Sequence, residues 1–313
     1  MARHFAFDLP FEKVPLEWVD AVEPFVPAEE GRIRAWRSLR RNPMALAGLV
    51  IVAFLIVVAV FGPLLAPHDP NRQFDTGLDD NGNPIGYSSQ FLLGTDTLGR
   101  DMLSRIIYGA RISLAAGIFA NGLAMAIGLV VGLTAGYWGG VVGAVLMRLT
   151  DVMLAFPGLV FALALVTAVG PSLQAIIIII AATVWSSMAR IIRGQVISIK
   201  RLDFVEAARA LGVSDIGIIV HHVLPQLTGV ALVYLTLNIA GTVLLEAGLS
   251  YLGLGIQVPT PDWGAMIAGG QAYFQSAPWL FLYPGVALML TVLGFNLLGD
   301  GLRDALDPKG RRR

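Results

Sequence analysis

The chain has 313 residues, of which 56% are hydrophobic and 14% charged, and its mean hydropathy is +0.70. That composition is too apolar for a water-soluble domain and ordinary for a polytopic membrane protein, and the lack of cysteine excludes disulfides and thiolate metal sites. The 22 Lys plus Arg balance 22 Asp plus Glu, but the basic residues are unevenly placed, and their placement sets the expected topology.

Residues 1–43 are polar, and Arg32, Arg34, Arg37, Arg40 and Arg41 cluster before the first apolar run. No small-residue cleavage site follows a short apolar core, so the segment reads as a cytoplasmic basic anchor rather than a removed signal peptide. Residues 44–65 are free of charge. Their length suits a helix crossing about 30 Å of hydrocarbon at about 1.5 Å per residue. Pro67, His68, Asp69 and Pro70 end this span, and the turn formers of residues 75–84 predict an acidic external loop. Within residues 93–105, Thr95 or Asp96 is placed to cap a short interfacial helix, with Arg100, Asp101 and Arg105 on its polar face. A solvated surface helix leading into the next span is the expectation.

Residues 112–138 predict a second span, in which Gly128, Gly132 and Gly136 recur at every fourth position and lay a smooth stripe on one helix face. Arg148 and Asp151 share a face of the helix entering the third span, 151–169. Pro157 removes a backbone donor inside that span, so a kink or break follows, serving either packing or a translocation path. Residues 173–188, with isoleucine at every position from Ile176 to Ile180, predict a fourth span.

A polar stretch carrying Arg190, Arg193, Lys200, Arg201 and Arg209 comes next and belongs on the cytoplasmic side by its charge. Residues 227–246 predict the fifth span. Residues 247–276 are apolar, interrupted by Gly and Pro and free of Lys and Arg, which predicts an external, partly re-entrant loop. Residues 277–299 predict the sixth span, and Arg303, Lys309, Arg311, Arg312 and Arg313 close the chain. Only an even number of crossings puts both basic tails on one side. The expected fold is therefore an all-α polytopic membrane protein with six transmembrane helices and cytoplasmic N and C termini.

Within the polar stretch, residues 204–211 form an amphipathic run of good helix formers, and Gly212 is placed to end it in a left-handed cap. Ser214 or Asp215 then caps a second short helix running to His222, ahead of Leu224 and Pro225, where the fifth span begins. The result is a helix-turn-helix at the membrane surface. Ala207, Ala208 and Ala210 leave a low-relief face for another protein, and Glu206 and Arg209 supply anchor charges. His221 and His222 point about 100° apart on a helix and are poorly placed to chelate one metal ion. Asn238, Gln174 and Asn296 are amides at or within spans, where interhelical hydrogen bonds are expected; Glu246, near the outer mouth, serves either loop contact or pathway. No catalytic or metal residue is assigned, since no Ser/His/Asp or metal pattern stands at reactive spacing, and no Gly-rich phosphate loop with Lys is present.

Glu206-Ala207-Ala208, three further residues, Gly212 and then Leu224-Pro225 resemble the signature loop of permease subunits of binding-protein-dependent ABC importers, with His222 where many such loops carry Ile. Three more stretches, residues 93–101 (LGTDTLGRD), 148–157 (RLTDVMLAFP) and 295–308 (FNLLGDGLRDALDP), are similar to the dipeptide, oligopeptide and nickel permease group. The likeness spans about residues 36–308 and suits the second, shorter permease of a pair.

The resemblance implies an importer-type permease core in the cytoplasmic (inner) membrane. Residues 1–43 would be a cytoplasmic tail, 44–66 the first transmembrane helix, and 67–110 an external loop with an interfacial helix. Residues 111–302 would hold five more transmembrane helices, with a cytoplasmic coupling loop at 195–226, and 303–313 a basic tail. Its implied partners are a paralogous permease, two ATP-binding subunits that hold ATP and Mg, and an extracytoplasmic solute-binding protein. The chain itself would hold no cofactor and bind no nucleic acid. The implied ATPase-coupling interface is Phe204, Glu206, Ala207, Ala208, Arg209, Leu211, Gly212 and Ser214, and the pathway candidates are Asp151, Pro157, Asn238 and Glu246. Expected cargo is a di- or oligopeptide, with nickel chelates or glutathione as alternatives. A self-sufficient secondary transporter is disfavoured by the few ionisable groups in the spans.

Overall fold

The computed structural model describes residues 39–40 and 42–306; the basic cluster at Arg32, Arg34, Arg37 and Arg41 and the tail from Lys309 to Arg313 lie outside the described residues. The long elements follow in the order α1 (Pro43–Leu65), α2 (Met102–Tyr137), α3 (Gly140–Ala155), α4 (Gly158–Val169), α5 (Leu173–Ile199), α6 (Asp203–Ala210), α7 (Asp215–Ile218), α8 (Leu224–Tyr251), α9 (Trp263–Gly270) and α10 (Trp279–Leu306). The described residues form no strand, only three isolated bridges that fold the segment between α1 and α2 on itself.

Helices α1, α2, α5 and α10, and the run Asp215–Tyr251 that contains α7 and α8, are each long and apolar enough to cross a membrane. Helices α3 and α4 supply a sixth crossing if counted as one span, and they meet at an angle of 89°. The break falls at Phe156 and Pro157, because proline has no N–H for the helix ladder and its ring clashes with the carbonyl four residues back. Pro157 thus breaks the third span outright.

Two boundaries differ from expectation. No separate interfacial helix precedes the second span: α2 begins at Met102, and Asp101 is its N-cap, accepting the Ser104 N–H at 2.9 Å, in place of Thr95 or Asp96. Helix α5 runs on to Ile199, so Arg190 and Arg193 sit on an extension of the fourth span and not in the polar loop. In both cases a helix continues past the apolar window, because a helix needs apolar residues only where it meets lipid.

The glycine stripe of α2 faces α5. A Cβ at Gly128 would stand 2.5 Å from that of Met188, one at Gly132 would stand 2.7 Å from the Ala189 carbonyl oxygen, and one at Gly136 would stand 2.8 Å from the Val196 Cβ. Between lipid-facing helices there is little apolar surface to hide from water, so such backbone-to-backbone packing supplies much of the cohesion. Helix α1 packs on α10 and α2 and leaves Val50, Phe54, Val57 and Phe61 exposed, as a lipid-facing helix does.

At the end of the bundle where α2 starts, a helix stands where a loop was expected. Asp262 caps α9 by accepting the Ala265 N–H at 2.9 Å, and the buried Trp263 donates its indole N–H to the Ile106 carbonyl at 3.0 Å. Trp279 likewise donates to the Thr95 carbonyl at 3.1 Å, pinning the 66–101 segment onto α10.

Candidate functional site

At the opposite end, α6 and α7 form the helix-turn-helix. Asp203 and Glu206 lie in the first turn of α6 and Arg209 in the last, each favourable to the helix dipole. Val205 and Ala208 turn inward onto a core with Ile192, Val196, Ile218 and Val223. Gly212 has φ +81°, its N–H reaches the Arg209 carbonyl at 3.0 Å, and the Val213 N–H reaches the Ala208 carbonyl at 3.1 Å. Those are the two bonds of a Schellman cap, which needs a residue at ease in the left-handed region. Ser214, and not Asp215, caps α7, accepting the Gly217 N–H at 3.2 Å.

The second arm is not a separate short helix ending at His222. Helix α7 passes through a π turn at Ile219–Val223 into α8 without interruption, and the Leu224 N–H reaches back to the Ile219 carbonyl. Pro225 cannot donate to the ladder, and a locally widened turn accommodates the missing bond. The two histidines are occupied separately: a His221 ring nitrogen lies 3.1 Å from the Gly217 carbonyl, and the His222 ring faces Phe204 with centroids 6.4 Å apart.

Of the expected interface residues, Phe204, Glu206, Ala207, Arg209, Leu211, Gly212 and Ser214 are exposed. Ala208 is not; its methyl group is buried in the core beneath α6 and offers no surface to a partner. Sequence reasoning missed that the exposed face is apolar at its tip: Leu211 is 85% exposed and Ile216 70%, with Val213 and Val220 beside them. The alternation of these residues with Ser214, Asp215 and Gly217 was the available signal.

The pathway candidates separate. Asn238 lines a cavity of about 330 Å³ together with Phe156, Thr183, Ser187 and Thr242, and Pro157 lies between the lining residues Phe156 and Gly158. Asp151 is outside it, paired with Arg190 of α5 on an exposed face. Glu246 is also outside it and fully buried: it accepts the Ser250 hydroxyl at 3.0 Å and stands beside Asp262 and Ser113, so its contacts are with its own helix, α2 and the segment after α8. Asn238 donates to the Tyr234 carbonyl of its own helix at 2.8 Å, and Gln174 and Asn296 are exposed. Deep in the bundle the Asn121 amide bridges α2 and α8, donating to the Leu235 carbonyl, which sequence reasoning did not single out.

The stretch expected to be a solvated helix face is instead a buried ionic knot. Asp96 accepts from Arg100 Nε at 2.7 Å and stands 3.2 Å from Arg105 Nε, while Arg105 also donates to the Pro70 carbonyl at 3.0 Å. Asp101 is fully buried, with His68 3.5 Å away. Two guanidinium groups on one carboxylate, completed by backbone carbonyls, meet the conditions under which buried charge is tolerated. The knot ties the segment after α1 to the start of α2.

Residues 128–312 match the family described as the binding-protein-dependent transport system inner membrane component, and residues 33–84 match the N-terminal transmembrane domain of oligopeptide transport permease C. The glutathione transport system permease protein GsiD of Escherichia coli O6:K15:H31 (strain 536 / UPEC) is 46% identical over 274 residues, covering 88% of this chain and 89% of that protein. The protein of the same name from Shigella boydii serotype 4 (strain Sb227) matches to the same extent. Among solved structures, a chain of the inward-facing MetNI methionine ABC transporter in its CY5 native crystal form aligns with a TM-score of 0.53 at 19% identity, over 65% of this chain and 97% of that one, which shows a shared fold. The chain therefore belongs to the inner-membrane permease components of binding-protein-dependent ABC importers, in the dipeptide, oligopeptide and nickel group.

Proposed function

We propose that the chain is the second, shorter permease of an importer for short peptides. With a paralogous permease it forms the pathway across the cytoplasmic membrane, receives cargo from an extracytoplasmic solute-binding protein, and is driven by two cytoplasmic ATPases that hold ATP and Mg. The observation that carries this reading is the exposed helix-turn-helix of α6 and α7, apolar at its tip and continuous with the α8 span. Leu211 and Ile216 supply apolar area for a groove, Glu206 and Arg209 supply flanking charges, and the Schellman turn lets the pair move as a rigid body. The chain needs no ATPase site of its own for this role. The end of the bundle bearing this loop is cytoplasmic, in accord with the basic residues at and beyond it.

The cavity beside Asn238 supports the peptide reading: its lining offers hydroxyl and amide groups to peptide bonds and carries no charged side chain, so it would place little demand on side-chain identity. Glutathione, itself a tripeptide, is the cargo favoured by the 46% identical relatives that carry its name. Reconstitution with the partner permease, the ATPases and the binding protein, followed by uptake of labelled glutathione, a dipeptide and a nickel chelate, tests the proposal. ATP-dependent uptake of glutathione or the dipeptide is expected; uptake of the nickel chelate alone would contradict it.

A further inference from the structure

The coupling loop has two covalent outlets into the membrane, α5 and α8. We infer that it has a third, non-covalent one: Tyr137, Asp215 and Lys200 clamp the loop to the end of α2, so that movement of the loop is passed along α2 to the opposite face of the bundle. This rests on the coupling role proposed for the loop.

The clamp is built from both sides. The Tyr137 hydroxyl, at the last residue of α2, donates to the Asp215 carboxylate at 2.7 Å, and Arg209 of α6 stands beside the same hydroxyl. Lys200, where α5 enters the loop, donates its ammonium to the Gly136 carbonyl at 2.8 Å and the Tyr137 carbonyl at 3.2 Å. Those carbonyls belong to the final turn of α2, which has no intrahelical donors left and carries the negative end of the helix dipole, so a cation fits there. Beneath the polar contacts, the Tyr137 ring shares one buried core with Val196, Val205, Ile218 and Val223, drawn from α5, α6, α7 and the π turn. At Gly136 the backbone of α2 lies against Val196 so closely that a Cβ would stand 2.8 Å from it, which leaves no slack for α2 to lag behind α5.

Helix α2 is suited to carry the motion. It is 36 residues long without a proline, a rod of about 54 Å at the usual rise per residue. Its far end holds the Ile106 carbonyl that accepts the Trp263 indole of α9, and Arg105 and Asp101 of the buried knot. One rod therefore touches both the loop that receives ATPase movement and the elements that close the opposite face. Tyr137, Asp215 and Lys200 act as positioning residues.

The test uses the full importer reconstituted in liposomes, and reads cargo transported per ATP hydrolysed together with the amount of ATPase that co-purifies. Tyr137→Phe and Asp215→Ala are each expected to lower transport per ATP by about 2- to 10-fold, the effect of losing one net hydrogen bond, with the complex still assembled. The double variant is expected to be no worse than either single one, and Asp215→Asn, which keeps an acceptor for the tyrosine, retains coupling. Lys200→Arg is expected to retain coupling and Lys200→Met to lose it. A Tyr137→Phe importer with wild-type transport per ATP, or additive effects in the double variant, would overturn the inference while leaving the loop's own role standing. If a Leu211→Arg chain, altered at the exposed tip, recruits ATPase as the wild type does, the loop reading fails and this inference fails with it.

Discussion

Replacing Gly212 isolates the backbone of the turn between α6 and α7 from everything around it. The residue has φ +81°, and a Cβ built there meets nothing within 4 Å, so a side chain has room and the whole cost is conformational. An L-residue other than glycine in the left-handed region costs about 1–2 kcal/mol, with Asn less penalised and a β-branched residue more. That cost opposes the Schellman turn that sets α6 against α7. If ATPase docking requires that geometry, apparent affinity for the ATPase falls by the Boltzmann factor of the cost, about 5- to 30-fold for Gly212→Ala. Titrating purified ATPase against the permease pair in nanodiscs should rank the variants Gly, Asn, Ala, Val in falling affinity. Membrane insertion should be unchanged, since the α5 and α8 spans are untouched. Equal affinity for Gly and Ala, or an Asn variant weaker than Ala, would refute the reasoning.

Other expectations concern packing and buried charge. Gly132→Leu places a side chain against the Ala189 carbonyl and Ile192 and should cost about 1–3 kcal/mol, lowering the melting temperature of the purified complex; Gly122→Ala on the same helix, with nothing within 4 Å of its Cβ, should be neutral or slightly stabilising. Asp96→Ala leaves the guanidinium groups of Arg100 and Arg105 buried without their carboxylate, and a loss of about 3–5 kcal/mol should show as poor accumulation of folded chain in the membrane. Glu246→Gln puts an amide donor beside the Asp262 carboxyl, where an oxygen of each side chain now lacks a hydrogen bond; thermal stability should hold or rise by about 1 kcal/mol with uptake unchanged, and loss of uptake would return Glu246 to the pathway.

What the sequence disclosed was the part governed by local rules. Long apolar runs located the spans, because a bilayer sets their length. The fourfold spacing of Gly128, Gly132 and Gly136 foretold a close helix seam because it repeats about once per helical turn. Gly212 was legible as a left-handed cap for the same local reason. What it hid depended on distant partners. Arg105 looks like a solvated helix charge until Pro70, Asp96 and Pro259 close around it. Glu246 reads equally as a loop contact or a pathway group in the sequence, and its neighbour Asp262 comes only from the chain after α8. In a run of small residues such as Ala207, Ala208 and Ala210, nothing distinguishes the inward methyl group; only the position of Val205 on the same helix face hinted that Ala208 turns in. Helix α9 was obscured by surrounding Gly and Pro, although Asp262 before Trp263 is a sound helix start.

The chain contains no cysteine, so the central claim can be probed with single introduced thiols in an otherwise unaltered background. The most direct measurement is crosslinking of Leu211→Cys to ATPase subunits carrying cysteines across their surface, with Leu92→Cys, exposed in the segment between α1 and α2, as control. A Leu211→Cys crosslink confined to one groove of the ATPase, varying with nucleotide and absent for Leu92→Cys, is the predicted result. No crosslink at Leu211 in a complex that still transports would contradict the coupling role of this loop.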